Sequence, residues 1–378
     1  MIVTWDWLNE YVRLDMPVEE FENRLMMSGL NHESTLRIDG QIAIDLEVTS
    51  NRPDCLGHIG IAREAAVLFN RELKLPAAHP RTGKTPVTEL TSVEIQCPDL
   101  CPRYTARVIR GVKVGPSPQW LVDRLAALFK FADVSKGKAS SWKPVNNIVD
   151  ITNYVMMECG QPLHAFDYNR LAGRRIVVRE ARKGEKLEAI DHKVYELEPG
   201  MCVIADAEKP VGLGGVMGGA ETEVSDTTVD LLIEAAEFNP LSIRNTSRAL
   251  KLFSPSSFRF SRGLDPEGVD WASRRCCELI LELAGGELAE GVIDVGRRET
   301  PRREITLRFS QLKRILGIDI DRDEVLRILA ALGNTIQGEP SAERVTVVAP
   351  SWRRDLSREI DLVEEVARIH GYDKIPGD

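Results

Sequence analysis

The chain has 378 residues, 43% of them hydrophobic and 28% charged, and its formal net charge is −9. Its isoelectric point is near 5.4. Such a composition is typical of a folded protein of two or three domains. The acidic balance argues against a protein that coats nucleic acid through a basic surface, although a local basic patch is compatible with an RNA partner. No apolar run reaches the ~20 residues that a membrane-spanning helix requires.

The N-terminus and the cysteines indicate a reducing compartment. The opening residues, MIVTWDWLNEYV, lack the basic segment and apolar core of a secretory signal. The seven cysteines are odd in number and scattered along the chain. We therefore expect a cytoplasmic protein with reduced thiols.

Hydrophobic periodicity and turn residues predict a mixture of helices and strands. The predicted helices cover 18–27, 59–70, 118–129 and 265–284, and the predicted strands cover 42–49, 104–112, 175–179, 201–205 and 230–234. Because helices and strands do not alternate regularly, the pattern favours an α+β multidomain fold.

The two ends of the chain carry nearly the same sequence pattern. Leu8, Leu14, Asp15, Phe21, Leu25 and Gly29 recur at a constant offset as Leu312, Ile318, Asp319, Val325, Leu329 and Gly333. After a shift of register, Asp54 and Glu64 correspond to Asp355 and Glu365. Two copies of one small helical module therefore flank a central segment. We assign an N-terminal module to 1–78, a linker to 79–95, a central domain to 96–296 and a second module to 302–378.

Polar side chains cluster within an otherwise apolar stretch of the central segment. They are Asn146, Asn147, Thr152, Asn153, Gln161 and His164. Amide and hydroxyl groups beside a semi-buried run need hydrogen-bond partners, and small-molecule pockets are built in this way. A network of satisfied turns and helix caps would explain the same pattern equally well.

A glycine-rich run at 212–219 follows in the same segment. It is not a phosphate loop, since no Gly-Lys-Ser/Thr follows, and Met217 stands where a dinucleotide fingerprint needs glycine. Such a run lets the backbone approach a ligand or another strand closely. Glu234 then ends an apolar strand, where it is either exposed at an edge or buried to recognise a hydroxyl or an amine.

The second end module contains four acidic residues within eleven positions. They are Asp355, Asp361, Glu364 and Glu365. Positions 361, 364 and 365 share one face of a helix, where carboxylates repel one another unless a cation lies among them. A site for a hard cation with oxygen ligands is one interpretation. The alternative, which the residues alone favour, is a solvated acidic face or pairing with the arginines at 353, 354, 358 and 368.

Several segments together resemble the beta subunit of bacterial phenylalanine–tRNA ligase, over the whole chain. Two of them are LEVTSNRPDCL at 46–56 and GQPLHAFD at 160–167. The others lie at 61–64, 101–104, 144–154, 214–219, 259–263 and 361–368. Their number, order and spacing carry the resemblance, since no single segment is decisive.

The resemblance implies that the end modules are small, winged-helix-like three-helix domains. It implies that the central segment is a mixed α/β editing domain, which hydrolyses tyrosine wrongly attached to the phenylalanine tRNA. The expected editing pocket contains Thr152, Asn153, His164, Gly218, Glu234 and Ser256. Glu234 would recognise the tyrosine phenol, and no residue is assigned as catalytic.

The resemblance also implies partners and cofactors. An alpha subunit would carry out ATP-dependent aminoacylation and bind most of the ATP, in a heterotetramer of two alpha and two beta subunits that acts on phenylalanine tRNA. Mg²⁺ would bind at Asp355, Asp361, Glu364 and Glu365. Two other hypotheses are a freestanding Tyr-tRNA deacylase that acts in trans and a non-catalytic RNA-binding or structural protein. The acidic net charge weighs against the latter.

The chain departs from the family in four places. The oligonucleotide-binding domain that the family inserts between the helices and the strand of its first module is absent. An insertion at about 130–141 lengthens the approach to the pocket. Ser256 stands where the family commonly has alanine, which changes the expected polarity of the pocket. Finally, the sequence ends before the family's C-terminal domains, so we expect a fragment or a truncated form.

Overall fold

The computed structural model describes residues 1–297, 300 and 302–375 of a mixed α and β fold. Its helices are α1 (Trp5–Tyr11), α2 (Val18–Met26), α3 (His58–Leu68), α4 (Gln119–Phe129), α5 (Phe131–Val134), α6 (Asn147–Cys159), α7 (Pro240–Leu250), α8 (Pro255–Phe260), α9 (Gly268–Leu283), α10 (Phe309–Leu316), α11 (Arg322–Ala331) and α12 (Glu359–His370). None of the described helices combines the length and the apolar character needed to cross a membrane. Positions 376–378, which the sequence assigns to the second module, lie outside the described residues.

The strands form several separate sheets. They are β1 (Ile2–Thr4), β2 (Asn31–Ile38), β3 (Gln41–Glu47), β4 (Thr82–Pro86), β5 (Ser92–Ile95), β6 (Arg103–Arg110), β7 (Leu163–Asp167), β8 (Arg175–Glu180), β9 (Glu185–Glu188), β10 (Val194–Leu197), β11 (Cys202–Ala205), β12 (Pro210–Leu213), β13 (Met217–Gly218), β14 (Asp230–Glu237), β15 (Glu287–Glu290), β16 (Ile293–Gly296), β17 (Glu304–Arg308), β18 (Thr335–Gln337) and β19 (Arg344–Val348). The mixture confirms the predicted α+β character.

The first of two compact units contains residues 1–75 of the first end module, the second end module and residues 130–139. The elements of the first module run β1, α1, α2, β2, β3, α3, and those of the second run β17, α10, α11, β18, β19, α12. Their sheets also correspond, with strand orders β1-β3-β2 and β17-β19-β18. The duplicated sequence pattern is therefore a duplicated fold. Within the described residues, each copy has three α-helices and a three-stranded sheet. Its winged-helix-like character stays a prediction.

Apolar spacing explains how the helices of the second module pack. Val325, Ile328 and Leu329 of α11 are fully buried at the three- and four-residue spacing of one helix face. Helix α10 ends at Gly317, whose φ of 74° lies in the left-handed region that favours glycine. The side chain of Asp321 then starts α11 by accepting hydrogen bonds from the amides of the first turn.

Residues 130–139 of the inserted segment belong to this first unit. Phe131 is buried with Ile38 and Ala43 of the first module. The ammonium group of Lys130 lies 2.8 Å from a carboxylate oxygen of Asp39. The apolar side chain of Phe131 therefore fixes the segment against β2 and β3.

The second compact unit covers residues 76–129 and 140–299. Its larger sheet has the order β4-β15-β6-β14-β7, with β16 also paired to β6, and its smaller sheet has the order β13-β12-β11-β8-β5. Residues 79–95, interpreted from the sequence as a linker, contribute β4 and β5 to these two sheets. Strand β4 contains Gly83 and Pro86, which are tolerated because the strand lies at a sheet edge. Strand β5 has only four residues, too few for a clear alternating pattern.

One apolar core of the second unit lies between strands of both sheets. It contains Val108 of β6, Phe166 of β7 and Leu232 of β14, together with Val178 of β8 and Val203 of β11. Burial of these β-branched and aromatic side chains stabilises the packing of one sheet on the other. The glycine-rich run and α8 lie beside this core, where the candidate site is found.

Candidate functional site

Strand pairing places two of the predicted pocket residues next to each other. In the antiparallel pair of β14 and β7, Glu234 lies directly opposite His164. Directly opposed residues point to the same face of a sheet, so both side chains reach the same space. The strand continues past Glu234 to Glu237, so Glu234 lies in its middle and not at its end. Its side chain is buried, with 8% of the residue exposed, which excludes the interpretation as an exposed edge residue.

These side chains line a cavity that the glycine-rich run closes on one side. The lining includes four of the predicted pocket residues, His164, Gly218, Glu234 and Ser256. Gly212, Gly215 and Met217 of the glycine-rich run and Phe260 of α8 complete much of the wall. The cavity therefore joins polar groups from two sheets and one helix within an apolar surround, as ligand pockets generally do.

Close packing explains one glycine of the run. A β-carbon at position 218 would lie 2.3 Å from Cε1 of His164 and 2.7 Å from its Nε2. Only a residue without a side chain lets β13 approach the imidazole this closely. Gly218 is thus required by the position of His164.

His164 is a half-buried, neutral histidine, and its Nε2 atom is buried. Burial lowers its pKa to about 4, so the ring is uncharged at neutral pH. Its ring packs edge-on against Phe166, with centroids 4.4 Å apart. Within the described residues, the buried Nε2 atom has no hydrogen-bond partner. A buried polar atom without a partner is costly, and a ligand or a water molecule in the cavity would satisfy it.

The carboxyl group of Glu234 is held in place through one of its two oxygens. The hydroxyl of Tyr104 donates a hydrogen bond of 2.7 Å to its Oε2. Burial raises the pKa of Glu234 to about 7, against the opposing effect of the Tyr104 hydrogen bond. Burial, followed by the charge of Glu234, raises the pKa of Tyr104 well above its usual value. Tyr104 fixes the carboxyl group and thereby leaves Oε1 for a ligand.

The remaining predicted pocket residues have different surroundings. Ser256 lies beside Met156, with 3.9 Å between its hydroxyl and the sulfur. Thr152 is one turn before Met156 on α6 and donates its hydroxyl to the Val149 carbonyl at 2.8 Å. Neither Thr152 nor Asn153 is among the residues that line the cavity.

The polar stretch around α6 therefore serves two purposes. The side chain of Asn146 caps α6 by accepting from the amides of Ile148 and Val149, and the side-chain amide of Gln161 donates to the Ala236 carbonyl at 2.9 Å. Both residues belong to the network of caps and turns, whereas His164 belongs to the cavity. Each of the two interpretations left open by the sequence describes part of the stretch.

The four acidic residues of the second module do not converge on one point. Arg353 donates two hydrogen bonds of 2.9 Å to Asp355 and also pairs with Glu365. Asp361 accepts from the amides of Ser357 and Arg358 at the start of α12. Glu364 is exposed to solvent. The structure therefore favours the alternative of ion pairs over a preformed cation site.

The first module repeats this ion-pair arrangement. Arg52 donates to Asp54 at 3.0 and 2.8 Å and to Glu64 at 2.6 Å, as Arg353 does to the corresponding Asp355 and Glu365. The sequence carried this signal, because Arg52 and Arg353 are related by the same offset as the two pairs of acids. Pairing of the acidic residues with Arg353 was one of the alternatives that the sequence left open, whereas the equivalent role of Arg52 was not predicted.

Arg368 joins the two copies. Its guanidinium group pairs with Glu64 of the first module and with Glu365 of the second. Although burial opposes the effect, the charges of Arg368 and Arg52 hold the pKa of Glu64 at about 2. Both carboxylates are therefore ionised at neutral pH and are neutralised by arginine.

A divalent cation does not fit these carboxylates as they are arranged. Among the described residues, the one group with ligand atoms close enough to hold a metal ion is Asp54, Cys55 and Glu64. Arg52 donates hydrogen bonds to all three. A bound cation would have to displace a buried guanidinium group, so no chemical step is assigned to a metal here.

Two domain families match the regions just described. Residues 100–285, which contain the cavity, match the B3/4 domain, and residues 305–372, which contain α12, match the tRNA synthetase B5 domain. The fold and the site thus define a component of an aminoacyl-tRNA synthetase.

Curated relatives identify the family. The chain is 52% identical over its full length to the phenylalanine–tRNA ligase beta subunit of Rhodopirellula baltica. It is 45% identical over 89% of its length to that of Moorella thermoacetica, and 41% identical over 96% to that of Thermotoga maritima. The chain belongs to the phenylalanine–tRNA ligase beta-subunit family, which confirms the resemblance seen in the sequence. It spans 54%, 40% and 43% of these three relatives, or about half their length.

A solved structure supports the overall fold. An N-terminal fragment of the phenylalanyl-tRNA synthetase beta-subunit from Pyrococcus horikoshii gives a TM-score of 0.52, covering 98% of this chain and 99% of that one. The two sequences are only 14% identical, so the likeness concerns the fold alone.

Proposed function

We propose that the second compact unit is an editing centre, which hydrolyses the ester of tyrosine wrongly attached to phenylalanine tRNA. The observation that supports this function is the buried carboxyl group of Glu234, held by Tyr104 through Oε2 and lining a cavity opposite His164. The phenol of tyrosine would donate a hydrogen bond to Oε1. Phenylalanine would leave that oxygen without a partner.

This arrangement discriminates in the direction that editing needs. A site built to hydrogen-bond a hydroxyl rejects the analogue that lacks it, because a buried polar group is then left unpaired. A synthetic site that must exclude the larger tyrosine while binding phenylalanine benefits from a second, hydrolytic site. We therefore assign to Glu234 the rejection of phenylalanine by the editing site.

His164 has a complementary part in the proposal. Its neutral ring can hydrogen-bond a water molecule or a hydroxyl of the ester through Nε2, which has no partner within the described residues. Because the pKa of about 4 keeps the ring neutral, His164 can position the attacking water but does not supply a positive charge. No side chain is assigned as a covalent nucleophile.

The synthetic reaction is assigned to a partner. The chain has no Gly-Lys-Ser/Thr phosphate loop, so we propose that an alpha subunit binds ATP with its Mg²⁺ and attaches phenylalanine to the tRNA, in an assembly of two alpha and two beta subunits. Cytoplasmic localisation accords with the free thiols of the described cysteines. The chain alone should therefore not exchange pyrophosphate into ATP in the presence of phenylalanine.

Deacylation assays test the editing function. The full chain should hydrolyse Tyr-tRNA faster than Phe-tRNA, and Glu234→Ala should reduce this preference by a factor equivalent to about 1–3 kcal/mol, the cost of an unpaired buried group. Glu282→Ala is the matched control, since Glu282 is an exposed glutamate of the same unit and should leave the preference unchanged. Equal hydrolysis of both esters by the unmodified chain would refute the proposal.

A further inference from the structure

A second concave surface lies beside the editing cavity. We call it the Phe-Arg groove, and it has a volume of about 580 Å³ between α7 and α8. Its lining includes two phenylalanines and three arginines, namely Phe253, Phe258, Arg244, Arg248 and Arg262. The groove is thus both aromatic and basic, although the chain as a whole is acidic.

The positive charge of the groove is uncompensated. Within the described part of the chain, Arg244, Arg248 and Arg262 make no ion pair with a carboxylate. Arg244 donates to the Ser261 carbonyl at 3.1 Å, and Arg262 donates to the Phe258 carbonyl at 2.8 Å. Burial and the charge of Arg244 lower the pKa of Arg262. Three cations without counter-charges favour an anionic ligand.

Polar atoms in the groove also lack partners. Among the described residues, the buried Nε of Arg262 and the buried hydroxyl of Ser247 have no hydrogen-bond partner, and both residues line the groove. One is a donor and the other can donate or accept. A ligand that carries acceptor oxygens would satisfy both.

The aromatic rings are unusually exposed for phenylalanine. Phe253 is 73% exposed and Phe258 is 47% exposed. The guanidinium group of Arg262 lies 3.6 Å from the centroid of the Phe258 ring, so a flat cationic surface extends the aromatic one. Rings and guanidinium planes on which bases stack, next to cations that contact the backbone, are typical of single-stranded nucleic-acid sites.

Helix α8 connects the groove to the editing cavity. Ser256 and Phe260, four positions apart and so on one helix face, line the cavity. Pro255, Ser257 and Phe258 of the same helix line the groove. A chain bound in the groove would therefore have its end beside Glu234 and His164.

We propose that the Phe-Arg groove binds the single-stranded 3′ end of the tRNA and so delivers the aminoacyl ester to the cavity. The phosphates contact Arg244 and Arg248, and an unstacked base lies on Phe253 or on the Phe258–Arg262 pair. This inference rests on the proposed editing function for the identity of the RNA, but its physical basis is the groove itself. An acidic peptide would be attracted by the charges and would gain nothing comparable from base stacking.

Direct binding tests the groove independently of catalysis. The probe is a 5′-fluorescein-labelled, single-stranded oligoribonucleotide ending in CCA, titrated with the full chain and followed by anisotropy. Phe253→Ala with Arg248→Ala should weaken binding by at least about tenfold, and the slope of log K against log salt should fall by about one for the lost arginine. Both residues are exposed, so the double variant should fold, which circular dichroism verifies.

Matched controls separate local contacts from general charge. Val194→Ala with Arg175→Ala removes an exposed apolar side chain and one positive charge from strands of the same unit that do not line the groove, and should leave the affinity unchanged. If the groove and control variants bind the probe as the unmodified chain does, the proposal is overturned. Equally tight competition by polyglutamate, whose carboxylates supply charge without bases, would overturn it as well and indicate an acidic protein partner.

Two further measurements distinguish failure of the groove from failure of the editing function. With Tyr-tRNA as substrate, the groove variant should raise KM about tenfold with little change in kcat, whereas free tyrosine should bind its cavity as tightly as before by calorimetry. If the unmodified chain binds the probe but hydrolyses no Tyr-tRNA, the proposed editing function is refuted and the proposed RNA binding by the groove is supported. If the unmodified chain hydrolyses Tyr-tRNA and the groove variant has an unchanged KM, only the proposal for the groove is refuted.

Discussion

The imidazole ring of His164 lies directly against the backbone of Gly218, on the wall of the proposed editing cavity. Glycine is present there because β13 and the ring of His164 occupy the space that a side chain would need. The ring also packs edge-on against Phe166, with centroids 4.4 Å apart, which restricts its movement. This contact makes the shape of the cavity sensitive to a single methyl group.

Gly218→Ala should therefore close the cavity. The added β-carbon would lie 2.3 Å from Cε1 of His164, and relief of this overlap should cost about 1–3 kcal/mol of unfolding free energy. Tyrosine affinity, measured by calorimetry, should fall by at least about tenfold. Gly115→Ala is the control, since a β-carbon there meets no atom within 4 Å. Tyrosine binding by Gly218→Ala at the original affinity would show that His164 does not shape the cavity.

The raised pKa of Glu234 predicts how the free energy of unfolding depends on pH. Its pKa is raised from 4.5 to about 7 by burial, so the unfolded chain ionises more readily than the folded one. The contribution of this group to stability is complete below about pH 4.5 and is lost as the pH rises through about 7. Ionisation in the folded state then costs roughly 3 kcal/mol at about pH 8.

Glu234→Gln should therefore match the unmodified chain near pH 5 and be more stable than it near pH 8, by up to roughly 3 kcal/mol. The measurement is hydrogen exchange of the β14 amides across this pH range, corrected for intrinsic rates. Glu282→Gln changes an exposed glutamate and should show no such trend. A difference that stays constant with pH would mean that the carboxyl group has an ordinary pKa.

Arg353 is predicted to dominate the stability of the second module. Arg353→Met would leave Asp355 and Glu365 without their shared guanidinium group, and breaking a buried pair in this way costs about 3–5 kcal/mol. Arg353 and Arg368 hold the pKa of Glu365 well below its usual value, against the effect of burial. The stability that this provides is present above about pH 4.5 and is lost as the pH falls further.

Hydrogen exchange of α12 measures this effect. Protection should drop sharply in Arg353→Met at neutral pH, and the difference from the unmodified chain should shrink below about pH 4, where the freed carboxylates take up protons. Arg358→Met is the control, because Arg358 is 74% exposed in its pair with Asp361, and surface pairs contribute about 1 kcal/mol or less. Similar losses in both variants would contradict a special role for Arg353.

Local patterns in the sequence predicted elements and residue types better than they predicted pairings. The repeat of Asp54 and Glu64 as Asp355 and Glu365 was visible at once, because a duplicated module preserves spacing. The contact of Tyr104 with Glu234 could not be predicted from local patterns, because it joins residues 130 positions apart and depends on the register of β6 against β14. Similarly, a helix-face argument brought the acidic residues of α12 together, but it could not show that Arg353 lies among them.

Magnesium titration distinguishes the ion pairs from the cation site that the acidic residues had suggested. Since Asp355 and Glu365 are paired with Arg353 and Asp361 caps α12, Mg²⁺ should leave the midpoint of thermal unfolding of the chain unchanged. A specific site filled at 100 times its dissociation constant would add about 2.7 kcal/mol, which is easily detected. Choline chloride at the same ionic strength controls for the screening of ion pairs by salt. Saturable stabilisation by Mg²⁺ that is lost in Asp361→Asn with Glu364→Gln would instead establish a cation site on α12.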